Sequence, residues 1–127
     1  LKGARILVNP TGSTDLPGKA EMITYTTLVR AQENLVYAVS ANRVGDEGGS
    51  RWAGNSAIGG PHFPGFGKVF AEAGKEEQLI VATLNFDQLA AWYDWLPWRE
   101  WRLGPQRYAS DLIARELSEI AEKAARS

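Results

Sequence analysis

The sequence contains no cysteine and only one histidine, His62. The lack of cysteine excludes disulfides, thiolate metal sites and a thiol nucleophile within these 127 residues, although it does not decide the compartment. A lone histidine supplies neither a Ser-His-Asp triad nor a multidentate metal site. We therefore expect His62 to be structural, and we take the cytoplasm as the default compartment.

The sequence also lacks an excess of charge of either sign and any long apolar run. Its 14 basic and 15 acidic residues give a net charge of -1 and are spread along the chain, unlike a nucleic-acid footprint. No apolar run approaches the roughly 20 residues of a membrane span, and the N-terminus lacks the pattern of a signal peptide. With 44% hydrophobic residues, the composition is typical of a globular protein with no nucleic-acid or membrane partner.

The most informative stretch is residues 30–43, a helix end that runs directly into a buried strand. Residues 35–41 carry almost no polar side chain, so both faces of this strand must be covered, whereas a one-sided sheet would show alternation. Asn34 lies where the chain leaves the helix, and asparagine tolerates the left-handed turn needed there. We therefore predict a strand in the middle of a layered domain.

The rest of the pattern predicts an α/β (α+β layered) fold with about five strands, a helix after the first strand and two C-terminal helices. Pro10 should end the first strand, because proline cannot donate to a ladder. Residues 35–41 and 52–58 should form a hairpin closed by residues 59–61. No linker divides the chain, so we treat it as one unit. The predicted strands are 4–8, 35–41, 52–58, 68–73 and 79–84, and the predicted helices are 20–34, 86–96 and 110–125.

The order Arg-Ala-x-Glu-Asn, then a hydrophobic strand, then Asn-Arg-x-Gly resembles the nitrilase superfamily of carbon-nitrogen hydrolases. Residues 3–11 upstream and 52–61 downstream are similar to further segments in the family's order, so the resemblance covers most of residues 1–104. Three motifs in order are more specific than any one alone. The matching positions of the central motif are Arg30, Ala31, Glu33, Asn34, Asn42, Arg43 and Gly45.

The resemblance implies an α-β-β-α sandwich and a hydrolase that cleaves the non-peptide carbon-nitrogen bond of an amide, carbamoyl or nitrile group. In the family, a cysteine attacks to form a thioester that water hydrolyses, with a glutamate as general base and a lysine stabilising the oxyanion. No metal or cofactor is implied. All three catalytic residues precede the segment that matches Leu1. We therefore expect residues 1–127 to be the C-terminal part of one hydrolase domain, inactive alone.

The alternative is a non-catalytic scaffold or interaction module derived from the same fold. Four tryptophans recur every three residues near the C-terminus, and such an amphipathic ring cluster is typical of a packed interface. The resemblance implies that C-terminal segments form subunit contacts. We therefore predict a homodimer through this aromatic segment, which contains Trp92, Trp95, Trp98 and Trp101.

The candidate substrate-binding residues are Asn9, Pro10 and Thr11, at the end of the first predicted strand. Open sheets usually gather ligand contacts at the carboxyl ends of their strands. An asparagine side chain can also both donate to and accept from a substrate amide or carboxylate. The resemblance implies that this strand end lies near the pocket. The alternative, equally open at this point, is a turn whose side chains bond their own backbone.

Four residues of the central motif are candidates for a structural or supporting role: Arg30, Glu33, Asn34 and Asn42. Glu33 orients a catalytic group if its face of the helix points toward the pocket. The alternative, which we favour, is an ion pair with Arg30 three residues earlier. We predict no catalytic and no metal-binding residue within the chain.

Overall fold

A four-stranded mixed sheet and three helices account for most of the computed structural model, which describes residues 3–125. The main sheet has the strand order β1-β2-β5-β6, and β3 pairs with β4 in a separate ribbon. This mixed α/β architecture confirms the predicted fold class. The elements are β1 (Ile6–Thr11), α1 (Lys19–Asn34), β2 (Tyr37–Asn42), β3 (Asp46–Glu47), β4 (Ser50–Arg51), β5 (Ala57–His62), β6 (Gly65–Glu72), α2 (Phe86–Trp95) and α3 (Trp98–Ala125).

The unit β1-α1-β2 positions the rest of the sheet. β1 and β2 are parallel, in a register that runs from Ile6 opposite Tyr37 to Thr11 opposite Asn42. β5 pairs antiparallel with the other edge of β2, so β2 has an antiparallel partner as predicted, but only residues 57 and 58 of the predicted partner strand 52–58 belong to β5. α1 packs on one face of the sheet through a stripe at steps of one, three and four, namely Ile23, Thr24, Thr27 and Ala31.

The helix end differs from the prediction by one residue. The left-handed conformation lies at Leu35, with φ of 43°, and not at Asn34. Leu35 is buried, and its carbonyl accepts a hydrogen bond from the Tyr93 hydroxyl. The Val36 N–H donates to the Ala31 carbonyl at 3.0 Å. Burial and these bonds hold a non-glycine residue in a conformation that costs of order 1–2 kcal/mol.

Pro10 does not end the first strand, contrary to the prediction. β1 continues to Thr11, and Pro10 stands opposite Ala41 in the ladder. β1 is an edge strand, and alternate residues of a parallel strand direct their N–H groups to opposite sides. Because Thr11 bonds toward β2 through its carbonyl, Pro10 directs its nitrogen away from β2 and removes no bond from the ladder.

Two further strand predictions were wrong, one in its extent and one in its existence. Residues 59–61 do not close the hairpin but belong to β5, which begins only at Ala57. Residues 79–84, predicted as a strand, pair with no strand among the described residues, although their burial alternates between exposed and half-buried. The predicted polar turn at residues 46–51 contains the short β3-β4 ribbon. Hydrophobic pattern alone therefore located extended segments better than it located their pairing.

Two adjacent glycines of β5 let neighbouring elements approach closely. A Cβ at Gly59 would lie 2.7 Å from Leu28 Cδ2 and 3.0 Å from the Lys68 carbonyl oxygen. A Cβ at Gly60 would overlap the Tyr37 ring. α1 therefore packs on one side of these glycines, and Tyr37 packs on the other.

The apolar core centres on Tyr37, which is buried to 1% exposure. Its ring makes edge-on contacts with Phe70 and Phe86 at centroid distances of 5.7 and 5.6 Å. Its hydroxyl donates to the Asn85 carbonyl, which fixes the start of α2 against β2. Trp92 of α2 is equally buried and packs edge-on to Phe63.

The described residues divide into two compact units between Asp94 and Trp95, and the second consists largely of α3. This helix begins at Trp98, well before the predicted start at residue 110, and continues through Pro105. The helix therefore includes a proline in its interior, which costs about 3 kcal/mol. Apolar side chains such as Tyr108, Ile113 and Leu117 are exposed along it. In residues 3–125, no helix combines the length and apolar character that crossing a membrane requires.

We expect Tyr37→Phe to destabilise the fold by about 1–2 kcal/mol at pH 7, because the Asn85 carbonyl loses its buried donor. Burial, followed by the neighbouring Tyr93, raises the pKa of Tyr37 above its ordinary value. The folded state therefore favours the neutral phenol, so its stability is full below about pH 10 and falls as the pH rises through the raised pKa.

Urea unfolding measured between pH 7 and pH 11 checks both effects. The Phe variant should lose part of the alkaline dependence, whereas Tyr25→Phe, at an exposed position of α1, should behave like the parent chain. An alkaline dependence that is the same with and without the Tyr37 hydroxyl would contradict this assignment.

Candidate functional site

A groove with a volume of about 460 Å³ lies between α1 and the parallel strands β1 and β2. Leu7, Ile23 and Ala38 contribute apolar surface to it. Its polar lining includes Asn9, Thr11 and Ser40 from the two strands. A lining that combines apolar surface with polar side chains is typical of small-molecule sites.

The structure separates the three predicted substrate-binding residues. Asn9 and Thr11 line the groove with Leu7, because residues two apart on a strand share a face. Pro10, between them, belongs to the opposite face and is exposed. Thr11 is at the carboxyl end of β1, so two of the three candidates lie where a ligand contact was expected.

The predicted supporting residues of α1 lie at the rim of this groove. Arg30 and Asn34 line it, whereas Glu33 does not. Glu33 accepts a hydrogen bond from Arg30 Nη1 at 3.1 Å, with the two side chains 51% and 67% exposed. Such an exposed pair contributes well under 1 kcal/mol. The ion pair that we favoured from the sequence is present, and the Asn34 amide caps the helix by donating to the Arg30 carbonyl.

Asn42 joins three segments at the carboxyl end of β2. Its side-chain oxygen accepts from the Ser13 N–H at 2.9 Å, and its Nδ2 donates to the Gly54 carbonyl at 2.6 Å. Its backbone N–H donates to Ser56 Oγ at 2.9 Å. Asn42 is only 9% exposed. Its two side-chain polar atoms therefore need protein partners, and the Ser13 N–H and the Gly54 carbonyl supply them. The buried amide thus fixes the loop that follows β1.

A second set of contacts holds the far side of the same loop. Lys75 Nζ donates to both carboxylate oxygens of Asp15, at 3.0 and 2.8 Å. Asp15 is also 3.8 Å from Arg51 Nε. The Ala53 N–H donates to the Ser13 carbonyl at 2.8 Å, so residues 13–15 are bound to the chain on either side. The rim of the groove is therefore a fixed loop.

Sequence reasoning missed several residues of this site. Ser13, Lys19 and Ser40 line the groove, and Ser56 bonds Asn42. The alternation Ala38, Ser40, Asn42 along β2 was a usable signal for a polar face. No comparable signal marked Ser13 or Ser56, because their roles arise from bonds across 29 and 14 residues of chain.

The groove can bind and orient a ligand, but it does not present a catalytic set. Lys19 and Arg30 line it, so it favours a ligand with an anionic or carbonyl oxygen. Lys19 forms no salt bridge with a carboxylate in the described part of the chain. In residues 3–125, no group of three histidine, aspartate or glutamate side chains could hold a metal ion.

We expect Asn42→Ala to destabilise the chain by about 2–4 kcal/mol, because the Ser13 N–H and the Gly54 carbonyl would lose their buried partner. Urea unfolding measures the loss, and amide exchange at Ala53 reports whether the loop has come free. Asn34→Ala, which removes an amide from the half-exposed end of α1, is the matched control and should cost about 1 kcal/mol or less. Equal losses in the two variants would contradict the role given to Asn42.

Two curated relatives of the chain are amidases. The chain is 36% identical over 119 residues to an (R)-stereoselective amidase of Pseudomonas sp. This alignment covers 91% of the chain and 41% of the amidase. The chain is 34% identical over 102 residues to omega-amidase NIT2 of Xenopus tropicalis, covering 80% of this chain and 35% of that protein. The chain therefore spans about two-fifths of the length of these curated relatives.

Solved structures of an amidase are also similar to this chain. The NitN amidase from Nesterenkonia sp. AN1 superimposes with a TM-score of 0.51 at 26% identity, over 75% of this chain and 37% of that one. A mutant of the same amidase, in which acrylamide has added to the active-site cysteine, gives the same values. Residues 1–94 match the carbon-nitrogen hydrolase family. Because this match takes in well over half of its residues, the chain belongs to the carbon-nitrogen hydrolase family of the nitrilase superfamily.

Proposed function

We propose that this chain is the C-terminal part of a hydrolase domain that cleaves the carbon-nitrogen bond of a small amide through a cysteine thioester. The cysteine, a glutamate base and a lysine that stabilises the oxyanion come from outside these 127 residues. The observation that carries the proposal is the polar carboxyl end of β1, where Asn9 and Thr11 line a groove beside a fixed loop. No cofactor takes part in this mechanism.

Three features support binding and not catalysis as the role of this chain. Asn9 offers both a donor and an acceptor to an amide group, and Thr11 adds a hydroxyl. The sequence contains no cysteine, whereas the related Nesterenkonia amidase has one at its active site. The groove is held open by bonds that lie outside it, so a ligand meets side chains that are already positioned.

An amide is the preferred substrate class, with carbamoyl and nitrile groups as the alternatives within the family. The curated relatives are amidases. Lys19 and Arg30 at the groove also favour a substrate that carries a carbonyl or carboxylate oxygen, which a nitrile group lacks. We assign Arg30, Asn34 and Asn42 to the support of the groove, and Glu33 to the ion pair that holds Arg30.

A non-catalytic module is the second candidate function, and the packed core of the first unit favours it. Tyr37, Leu89 and Trp92 are each buried to 1% exposure within this chain alone. Against it, Ile6, Leu7 and Val8 of β1 are 40%, 39% and 67% exposed. A self-sufficient module would cover this strand, so we favour the hydrolase.

We also propose a cytoplasmic homodimer whose contact lies in the C-terminal aromatic segment. Trp95, Trp101 and Tyr108 are 63%, 56% and 71% exposed, and large exposed aromatic side chains are enriched at subunit interfaces. Trp92 takes no part, because it is buried against Phe63.

The first expected outcome is that residues 1–127 alone hydrolyse no amide, carbamoyl or nitrile substrate above the uncatalysed rate. Ammonia release from a panel of small amides, including amides that carry a carboxylate, is the measurement. A chimera that joins the N-terminal portion of the Pseudomonas amidase to this chain should show turnover that depends on its cysteine. Turnover by residues 1–127 alone would contradict the proposal.

The second expected outcome concerns the groove. In the active chimera, Asn9→Ala should raise KM about 10-fold and change kcat about two-fold or less, because one hydrogen bond to bound substrate is lost in ground and transition states alike. Thr83→Ala, at an exposed position away from the groove, is the control. If Asn9→Ala leaves KM unchanged, the groove does not bind the substrate.

A further inference from the structure

Two cationic side chains and no carboxylate are among the described residues that line the groove. The cations are Lys19, at the start of α1, and Arg30 near its end. Arg30 is paired with Glu33 at 3.1 Å, whereas Lys19 forms no salt bridge in the described part of the chain. Of these two charges, the one on Lys19 is therefore the one that no carboxylate offsets.

Asp15 is the carboxylate best placed in the chain to offset the Lys19 charge. It is the only acidic residue among the first 20 and precedes Lys19 by four residues. The Lys19 N–H donates to the Leu16 carbonyl at 2.9 Å, so a tight turn lies between the two side chains. Glu21 is the next acidic residue, but positions two apart on a helix do not face each other.

The Asp15 side chain is instead bound on the far side of the loop. Lys75 Nζ donates to both of its carboxylate oxygens, at 3.0 and 2.8 Å, and Arg51 Nε lies 3.8 Å away. Charge-assisted hydrogen bonds are about twice as strong as neutral ones, so the contact with Lys75 sets the direction of the carboxylate. Asp15 does not line the groove, although Ser13 and Lys19 on either side of it in sequence both do.

Backbone contacts fix Lys75 at this place independently of its side chain. The Asn55 N–H donates to the Gly74 carbonyl at 2.9 Å. Gly54 permits the approach, because a Cβ there would lie 2.6 Å from the Gly74 carbonyl oxygen and 3.0 Å from Lys75 Cα. A substitution at Lys75 therefore removes the charge and leaves these backbone contacts in place.

Loss of the Lys75 charge changes the partner that Asp15 can find. Asp15 would keep only the Arg51 contact at 3.8 Å, and the nearest cation along the chain is Lys19. Opposite charges attract more strongly as their separation falls, so the carboxylate would turn toward Lys19. The charge that Lys19 presents to the groove would then be offset within the chain.

We propose that Lys75 is a positioning residue for substrate specificity, because it holds Asp15 away from Lys19 and so leaves Lys19 to bind an anionic group of the substrate. Lys75 does not line the groove and acts only through Asp15. The assignment of Lys19 to a substrate rests on the proposed function. The competition between the two lysines for Asp15 does not.

Two amides of the same chain length test the proposal in the active chimera: succinamate, which ends in a carboxylate, and butyramide, which ends in a methyl group. Lys75→Ala should raise KM for succinamate about 10-fold, because Lys19 is then paired with Asp15. It should leave kcat, and KM for butyramide, within about two-fold of the parent. Lys75→Arg keeps the charge and should restore KM for succinamate.

A double variant separates this role from a merely structural one. Lys75→Ala combined with Asp15→Asn lacks both charges of the ion pair, but it also lacks the carboxylate that would turn to Lys19. Its KM for succinamate should return to within about two-fold of the parent. A role limited to holding the loop predicts a double variant at least as impaired as Lys75→Ala. Lys68→Ala, at an exposed lysine of β6, is the control.

The competition can also be measured without turnover. In the isotopically labelled chain alone, the nitrogen chemical shift of the Lys19 ammonium group should change with Lys75→Ala and return when Asp15→Asn is added. Lys68→Ala should leave it unchanged. If the chimera is inactive, dissociation constants of the two amides, obtained by NMR titration of the chain, take the place of KM.

Three results would overturn the proposal. They are equal effects of Lys75→Ala on succinamate and butyramide, a double variant that is not rescued, and a Lys19 signal that does not respond to Lys75→Ala. An inactive chimera together with the expected Lys19 signals and dissociation constants would support the proposal and contradict only the proposed hydrolysis.

Discussion

The parallel ladder between β1 and β2 is the constraint on which the site depends. Because the two strands run in the same direction, their carboxyl ends meet at one edge of the sheet, and Thr11 lies opposite Asn42. Asn42 then reaches the loop after β1 through the Ser13 N–H. A register shift of one residue would turn Asn9 and Thr11 to the opposite face and empty the groove of its polar groups.

Stability and function are unevenly distributed around this ladder. On the β5 side of β2, the Tyr37 ring, the glycines of β5 and Trp92 form a closed core. On the β1 side, Ile6, Leu7 and Val8 are 40%, 39% and 67% exposed, and the polar lining of the groove begins. The groove therefore lies at the margin between the closed core and the open edge of β1.

The sequence predicted the parts of the fold that follow from local pattern. The apolar run of residues 35–41 identified the central strand, and the motif residues identified the family. The spacing of Arg30 and Glu33 predicted their ion pair. These features depend on neighbours within a few residues, so the sequence displays them directly.

Features that depend on distant partners could not be predicted. Whether Pro10 interrupts β1 depends on which edge of the strand is paired, and whether residues 59–61 form a strand depends on how closely Leu28 and Tyr37 approach. Leu35, and not Asn34, adopts the left-handed conformation because it is buried and because its carbonyl accepts a hydrogen bond from Tyr93, 58 residues away. Asn9 and Thr11 line the groove, and their contact with a substrate stays a prediction. Pro10 was grouped with them because adjacency in sequence conceals the alternation of a strand.

The most direct test of this account is the detection of scalar couplings across the backbone hydrogen bonds of the labelled chain. We expect a coupling from the Tyr37 N–H to the Arg5 carbonyl, and one from the Arg43 N–H to the Thr11 carbonyl. Couplings displaced by one residue, or an antiparallel pattern between β1 and β2, would contradict it, because Asn9 and Thr11 would no longer face the groove.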